Sequence, residues 1–238
     1  MKKMAVGVAV FLAMVAPVWG TTVVALQADA RILNGGGPDG TSKYLSVYNQ
    51  GTNIQRSVLL FDVGSIAPGQ TILSAELTLY QLSGWGGNPL NCPMDVYRVT
   101  RPWVENEVSW LKASNSTLWA TPGGDYVGTT GAQNLSPFAT NNSNPPSDGD
   151  PIIWDVTDLV ERWYTGGYTN NGLLLLSSAG NHMVFHSGDG GTPQSLWPVL
   201  TVEYDQTGGN QIPEPLTLAG VFLGVGGIGA YIRRRRMA

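Results

Sequence analysis

Short apolar runs separated by turn-forming residues dominate this chain, and they constrain its fold more than any other feature. Within residues 74–82, Ala75, Leu77 and Leu79 alternate with polar residues, as a strand with one buried face requires. Runs of this kind occupy residues 22–32, 44–49, 57–63, 74–82, 94–100, 151–156, 172–178, 183–187 and 199–204. With Gly-, Asn-, Ser-, Thr- and Pro-rich connections between them, they predict an all-β fold, a jelly-roll-like antiparallel β-sandwich. Parallel βα units are excluded because helices between the strands are missing.

Residues 155–167 form the one exception, because their apolar residues follow helical spacing. The positions on this face are Val156, Leu159, Val160 and Trp163. They predict one short helix whose apolar face plugs an end of the sandwich. Asp158 and Glu161 have the spacing of a capping box, and Gly166 is placed to end the helix.

The part of the chain between Thr21 and Asn210, here called the body, is acidic and contains one cysteine. This body keeps seven basic and 16 acidic residues, so its charge is near −9. Such a surface disfavours nucleic acid and anionic membranes, and leaves cations, neutral glycans or other proteins as partners. Cys92 is the single cysteine, so the fold has no intramolecular disulfide to rely on.

The first 20 residues have the layout of a secretory signal peptide. Lys2 and Lys3 precede an apolar run, and small residues close the segment. We predict cleavage between Gly20 and Thr21. A retained membrane anchor is the alternative, but the run is short for a spanning helix.

The C-terminal end combines three features in a fixed order. Pro213, Glu214 and Pro215 come first, and Leu216–Ile232 then gives 17 residues without a charge. A basic cluster follows, made of Arg233, Arg234, Arg235 and Arg236. The run is at the lower limit for a transmembrane helix, and the arginines would stop it on the cytoplasmic side.

This arrangement over residues 212–238 resembles the PEP-CTERM sorting signal of Gram-negative bacteria. The resemblance implies that an exosortase is a partner and that the helix enters the inner membrane transiently. It also implies export to the cell envelope, the cell surface or the extracellular matrix. A permanent single-span anchor is the alternative. Residues 207–211 would link the sorting signal to the body.

The body itself resembles the DNRLRE family of secreted β-sandwich domains. The resemblance rests on "RSVLLFDV", "ILSAELTLYQL", "WVENEVSW", "WDVTDLVERWYTGGYTNNGLLLLSS" and "PVLTVEY". It implies a jelly-roll-like domain over residues 21–206. Some members of this family are counted among carbohydrate-binding modules, and others sit on large cell-surface proteins.

Candidates for catalysis are few. His182 and His186 are read as surface or loop residues, and no Cys/His cluster, HExxH or phosphate-binding loop is present in the sequence. Glu105 and Glu107 could serve a polysaccharide-active enzyme as paired carboxylates on one strand face. A structural role, in which both glutamates bind loop backbone amides and the neighbouring tryptophans pack, is the simpler interpretation. We therefore predict that the protein is not an enzyme.

Cofactors are not required by any motif, although calcium remains an option. The weak calcium candidates are Asp148, Asp150 and Asp189, in two short acidic loops. Asp29, Asn34 and Asp39 form a further acidic set near the N-terminus. Ordinary solvated turns are the alternative for all of them.

Trp85 and Trp119 lie in polar stretches where local pattern gives no reason for burial. Exposed rings of this kind could stack on sugars, so both are candidates for glycan binding; packing that anchors loops is the alternative. Together the features predict an exported, non-catalytic envelope or matrix protein that binds extracellular polysaccharide or has a structural role. A protein-protein adhesion module and the enzyme using Glu105 and Glu107 are the competing hypotheses.

Overall fold

The computed structural model describes residues 19–82, 92–142, 147–180, 182–189 and 191–206. These residues are mostly β-strand, with a single α-helix and antiparallel sheets. The longer strands are β1 (Trp19–Val24), β2 (Leu26–Leu33), β3 (Tyr44–Gln50), β4 (Asn53–Phe61), β5 (Thr71–Tyr80) and β6 (Met94–Val99). Short strands follow as β7 (Lys112–Ser114), β8 (Thr117–Leu118), β9 (Tyr126–Val127) and β10 (Ala139–Asn141). The remaining elements are β11 (Pro151–Asp155), α1 (Thr157–Tyr164), β12 (Leu173–Ser177), β13 (His182–His186) and β14 (Val199–Asp205).

Two antiparallel sheets carry the fold. The smaller sheet has the order β1-β14-β5-β11. The larger sheet has the order β10-β6-β12-β4-β3-β13, with β2 added on β4 and β9 added on β6. A bridge between Gln81 and Phe185 links the end of β5 to β13, so the two sheets are joined along this side. The antiparallel sandwich predicted from the alternation is thereby confirmed.

The main core lies between the two sheets. The smaller sheet contributes the alternating residues Ala75, Leu77 and Leu79, which are fully buried as their pattern predicted. Leu59 and Phe61 of β4 belong to the same core, on the facing side. Each strand thus places every second side chain in this layer, which is what a strand buried on one face does.

A second core covers the outer face of the larger sheet. Residues 100–138, here called the covering segment, lie against Val58, Tyr97 and Leu174. All five residues of β12 are buried because this strand has a core on each side. The covering segment supplies mainly Val108, Ala113, Trp119 and Tyr126.

The helix α1 is present where its spacing predicted it, and Leu159, Val160 and Trp163 face the main core. The predicted capping box is wrong. No side chain caps the helix, and Asp158 instead forms an i,i+4 ion pair with Arg162. The helix is preceded by Asp155, whose carboxylate accepts from the Thr157 backbone amide and hydroxyl. Within the described ranges, no helix is long and apolar enough to cross a membrane.

Candidate functional site

A polar pocket opens on the outer face of the larger sheet, where the covering segment stops. Its volume is about 250 Å³. Neighbouring strands form its floor: Leu176 of β12 is paired with Asp95 of β6, and Leu175 with Ser57 of β4. Strands β4 and β6 flank β12 on opposite sides, and Arg56 follows Gln55 on β4, just before the paired residue Ser57. Arg56 and Asp95 therefore line the pocket from opposite sides of the end of β12.

Arg56 forms one wall of the pocket and also holds the covering segment. Its Nη1 donates to the Gly123 carbonyl at 2.7 Å, and its guanidinium lies 4.9 Å from the Trp110 ring centroid and 5.1 Å from that of Tyr126. The Nε atom is buried without a hydrogen-bond partner, and Arg56 forms no ion pair with a described carboxylate. Because Nε is inaccessible, Arg56 can offer the pocket its positive charge and its Nη2 group, which donates to no described residue.

Asp95 and Tyr97 form the opposite wall, both on β6 and both almost fully buried. Asp95 Oδ1 accepts from the Thr140 hydroxyl at 2.6 Å. The Tyr97 ring meets Tyr126 edge to face at 5.1 Å. Burial, with the negative charge of Asp95 adding to it, raises the pKa of Tyr97 to about 12. Tyr97 is therefore neutral and protonated at physiological pH.

Asn134 reaches the pocket from the covering segment in an unusual backbone conformation. Its φ is +57°, in the left-handed region that asparagine adopts more readily than most residues other than glycine. Tyr126 donates its hydroxyl to Asn134 Oδ1 at 2.5 Å. The amide nitrogen of Asn134 donates to no described residue, so it remains available to a ligand.

A second feature is the acidic cluster, formed by Asp29, Glu105 and Asp189. Each offers a carboxylate oxygen, and the three oxygens lie within 4.8 Å of one another. They come from β2, from the turn after Val104 and from the loop after β13, and they border a cavity of about 130 Å³. Sequence separation hid this grouping, although Asp29, Glu105 and Asp189 were each singled out in different candidate sets.

Hydrogen bonds to Asp29 tie the three segments of the cluster together. Its carboxylate accepts from the Ser187 hydroxyl and from the Gly188 amide, each at 2.7 Å. Its own backbone amide donates to Glu105 Oε1 at 2.8 Å. Asp29 is only 2% exposed, so these bonds form in a poorly solvated environment.

The electrostatics of the cluster are unfavourable for three negative charges. Burial raises the pKa of Asp29 to about 6; hydrogen bonds from Gly188 and Ser187 oppose the rise, and the charges of Asp189 and Glu105 add to it. Burial also raises the pKa of Glu105 and that of Asp189. No described Lys, Arg or His forms an ion pair with these carboxylates. A proton or a divalent cation would relieve the repulsion, and hard oxygen ligands favour Ca²⁺.

The remaining calcium candidates are not brought together. Asp148 faces the buried His186, with Oδ1 3.6 Å from Nε2, and Asp150 accepts from the Ser147 amide. Asp39 pairs with Arg31. Exposed Asn34 donates its side-chain amide to the Thr52 carbonyl. Only Asp29 and Asp189 of the predicted sets therefore share a site.

The two histidines occupy strand β13 rather than a loop or the surface. His186 is 8% exposed and His182 is half-buried against the Tyr48 ring. The surface assignment is wrong because β13 pairs with β3 on one side and bridges to Gln81 on the other.

Glu105 and Glu107 do not lie on a strand, so the predicted shared strand face is wrong. Amides of Glu107 and Val108 both donate to the Val104 carbonyl, which closes a tight turn. Glu105 accepts from the Asp29 amide, and Glu107 Oε2 accepts from the Asn115 amide at 2.8 Å. Both glutamates thus bind backbone amides as predicted, although only Glu107 binds one in a loop, and the amide bound by Glu105 belongs to β2.

Trp119 is buried at 5% exposure, so its prediction as an exposed glycan-binding ring is wrong. It packs in the second core, and its indole donates to the Ser109 carbonyl at 2.9 Å. Local sequence could not reveal this, because its burial depends on the distant outer face of the larger sheet. Trp85, the other candidate, lies outside the described residues.

The structure describes the predicted cleavage site of the signal peptide but not the residues of the predicted sorting signal. Gly20 and Thr21 are paired in β1 with Tyr204 and Glu203. The sorting residues Pro213, Glu214 and Pro215, and the arginines from Arg233 to Arg236, lie outside the described residues. Their predicted roles stay predictions.

Comparison with known proteins identifies the family of the body. No curated protein matches the chain. The family model for the disaggregatase related repeat domain matches residues 39–202, which is well over half of the 238 residues. The matched region contains both pocket walls, the covering segment and two of the three acidic-cluster carboxylates. The chain therefore belongs to the disaggregatase related repeat domain family.

Proposed function

We propose that this protein is a non-catalytic, extracellular β-sandwich module, jelly-roll-like in its connections, that binds polysaccharide in the polar pocket. The observation that carries the proposal is that donors on Arg56 and Asn134 line the same pocket as the acceptor Asp95 and the apolar Leu176. A sugar ring offers hydroxyls that donate and accept, and C–H faces that pack on apolar side chains. The pocket presents partners for all three.

The charge of the pocket and of the body favours a neutral ligand. Arg56 and Asp95 offset one another across the floor, and the body carries a charge near −9. A polyanion would meet repulsion from this surface at low salt. The volume of about 250 Å³ is below the about 300–1,000 Å³ of drug-sized pockets, so it suits one sugar unit of a longer chain.

A non-catalytic role is supported by the Glu105 and Glu107 contacts. Glycosidase carboxylates face one another across a scissile bond. Here each carboxylate accepts from a backbone amide of a different segment, Asp29 for one and Asn115 for the other. We assign both residues to holding the domain together.

Binding is tested with the purified full chain on an array of neutral and anionic polysaccharides. We expect retention on one or more neutral polysaccharides, and loss of that retention in Asp95→Asn. Asp158→Asn is the matched control, because Asp158 is exposed on α1 and pairs with Arg162. Undiminished retention in Asp95→Asn would place binding elsewhere, and no retention of the wild-type chain would overturn the proposal.

We further propose that the acidic cluster holds Ca²⁺ and thereby clamps β2, the Glu105 turn and the loop after β13. Its support is the convergence of three carboxylates on a small cavity without an opposing described cation. Protein Ca²⁺ sites take about 6–8 oxygens, so backbone carbonyls and water would complete the shell.

Calorimetric titration of the chelator-treated chain with CaCl₂ tests the clamp. We expect saturable binding in the wild type and in Asp158→Asn, and at least tenfold weaker binding in Asp189→Asn. Equal affinity in Asp189→Asn, or no heat in the wild type, would remove calcium from the proposal.

Export and sorting are proposed from the sequence signals at the two ends. An exosortase would act on the segment at Pro213–Pro215 after the signal peptide is removed before Thr21. Replacing Pro213, Glu214 and Pro215 with alanine in the native host should leave the protein in the inner membrane. Unchanged delivery of this variant to the cell surface would contradict the sorting role.

A further inference from the structure

The polar pocket fixes where a ligand must donate and where it must accept. Arg56 has its Nη1 engaged by Gly123 and its Nε buried, so Nη2 is its remaining donor, and Asn134 Nδ2 donates to no described residue. Both residues therefore offer N–H groups. On the β6 side, Asp95 accepts from Thr140 through Oδ1, and its Oδ2 accepts no hydrogen bond from a described residue. The ligand needs an acceptor toward Arg56 and a donor toward Asp95.

Apolar side chains separate these two sides. Leu176 lies between the Arg56 and Asp95 positions, and Ile54 also lines the pocket. A ligand group that is polar at both ends but apolar in part would fit this floor without leaving a polar atom unpaired. A simple hydroxyl cannot reach both sides of the pocket, because its donor and its acceptor sit on one atom.

A secondary amide with a methyl substituent has the required order of groups. Its carbonyl accepts, its N–H donates in nearly the opposite direction, and its methyl group is apolar. It is also neutral, as the pairing of Arg56 with Asp95 favours. Among sugar substituents, the 2-acetamido group of an N-acetylhexosamine has this structure.

We propose that the polar pocket recognises the acetamido group of an N-acetylhexosamine within a neutral glycan. Its carbonyl accepts from Asn134 and Arg56, its N–H donates to Asp95, and its methyl group packs on Leu176. This inference rests on the proposed polysaccharide binding and adds the ligand class. Asn134 is then the residue that determines specificity.

The experiment compares two tetrasaccharides that differ at the 2-position alone. Chitotetraose carries an acetamido group on each ring, and cellotetraose carries a hydroxyl in its place. The purified full chain is titrated with each by calorimetry. We expect chitotetraose to bind at least about tenfold more tightly, because the hydroxyl leaves buried pocket groups without partners.

Variants separate the acetamido contacts from general sugar binding. Asn134→Gly removes the side chain and suits the positive φ, so the fold is kept, and it should reduce the preference for chitotetraose to below about threefold. Asn134→Asp replaces the donor with an acceptor and should have the same effect. Asp158→Asn, far from the pocket on α1, should keep the full preference. Circular dichroism confirms that each variant is folded.

The outcomes distinguish this inference from the proposal beneath it. Equal binding of the two tetrasaccharides, lost in Asp95→Asn, would keep polysaccharide binding and overturn the acetamido assignment. A chitotetraose preference that survives Asn134→Gly and Asn134→Asp would overturn the placement at Asn134. Binding of neither sugar would overturn the acetamido inference, and absence of binding to all neutral polysaccharides on the array would also overturn the proposed function.

Discussion

The ionisation of Asp29 makes stability depend on pH in a direction opposite to that of most carboxylates. Its pKa is 3.8 when unfolded and about 6 in the folded chain, mainly because of burial. The folded state therefore keeps a proton that the unfolded state loses. Stability is highest below pH 3.8 with respect to this group, falls as pH rises through the window to about 6, and stays low above it.

The size of the effect follows from the shift. At 1.36 kcal/mol for each pKa unit, a rise from 3.8 to about 6 removes about 3 kcal/mol of stability by pH 7. Asp29 is almost completely buried, so solvent does not screen this value strongly. For a domain of this size the loss corresponds to a melting temperature lower by about 6–12 °C.

Urea unfolding in chelator at several pH values between 4 and 7 measures this contribution, when the wild type is compared with Asp29→Asn. Asparagine cannot ionise, so the stability of the wild type relative to the variant should fall by about 2 kcal/mol between pH 4 and pH 7, since part of the full loss has already occurred at pH 4. Asp158→Asn, at an exposed position, reports the pH dependence of the rest of the chain. A difference in the free energy of unfolding between wild type and Asp29→Asn that stays constant with pH would refute the reasoning. A difference that changes in the opposite direction would also refute it.

Three other predictions concern the buried Trp119, the backbone at Gly172 and calcium binding at the acidic cluster. Trp119→Ala should lower the free energy of unfolding in urea by about 3–5 kcal/mol, because the ring is buried. Trp119→Phe should lower it by about 1 kcal/mol, because the hydrogen bond to Ser109 is lost. A loss below about 1 kcal/mol for the alanine variant would contradict the burial. Gly172→Ala should be much more destabilising than Gly69→Ala, although both have φ near +80°, because only at Gly172 would a Cβ lie 2.2 Å from the Leu59 carbonyl oxygen. Equal unfolding midpoints for the two alanine variants would show that this contact is relieved without cost. Calcium at 100 times its dissociation constant should raise wild-type stability by about 2.7 kcal/mol at pH 7, and tenfold or weaker binding should limit the rise in Asp189→Asn to about 1.4 kcal/mol or less.

The strands and the helix could be predicted because they depend on local periodicity. Ala75, Leu77 and Leu79 alternate in sequence and are buried in one layer, and Leu159 and Trp163 follow helical spacing and face the core. Glu105 and Glu107 show the limit of this approach, because an alternating pair beside two tryptophans also fits a tight turn.

The candidate sites could not be assembled from the sequence, because their members are distant along the chain. Asp29 and Glu105 are separated by 76 residues, and Asp29 and Ser187 by 158. Arg56 and Asp95 line one pocket only because β4 and β6 both pair with β12. Trp119 was mistaken for a surface ring for the same reason, since its neighbours belong to another part of the sheet.

Strands β1 and β2 precede the region that defines the family, yet they complete both sheets. The family match begins at residue 39, whereas β2 ends at Leu33 and covers one edge of β4, and β1 covers one edge of β14. A fragment beginning at residue 39 would present two long rows of unpaired amides and carbonyls, with a gap where Ile32 had filled the second core. Such edges recruit strands from other molecules. The unit that folds is thus wider than the unit that sequence comparison detects, and a fragment trimmed to the matched region would associate with itself rather than remain monomeric.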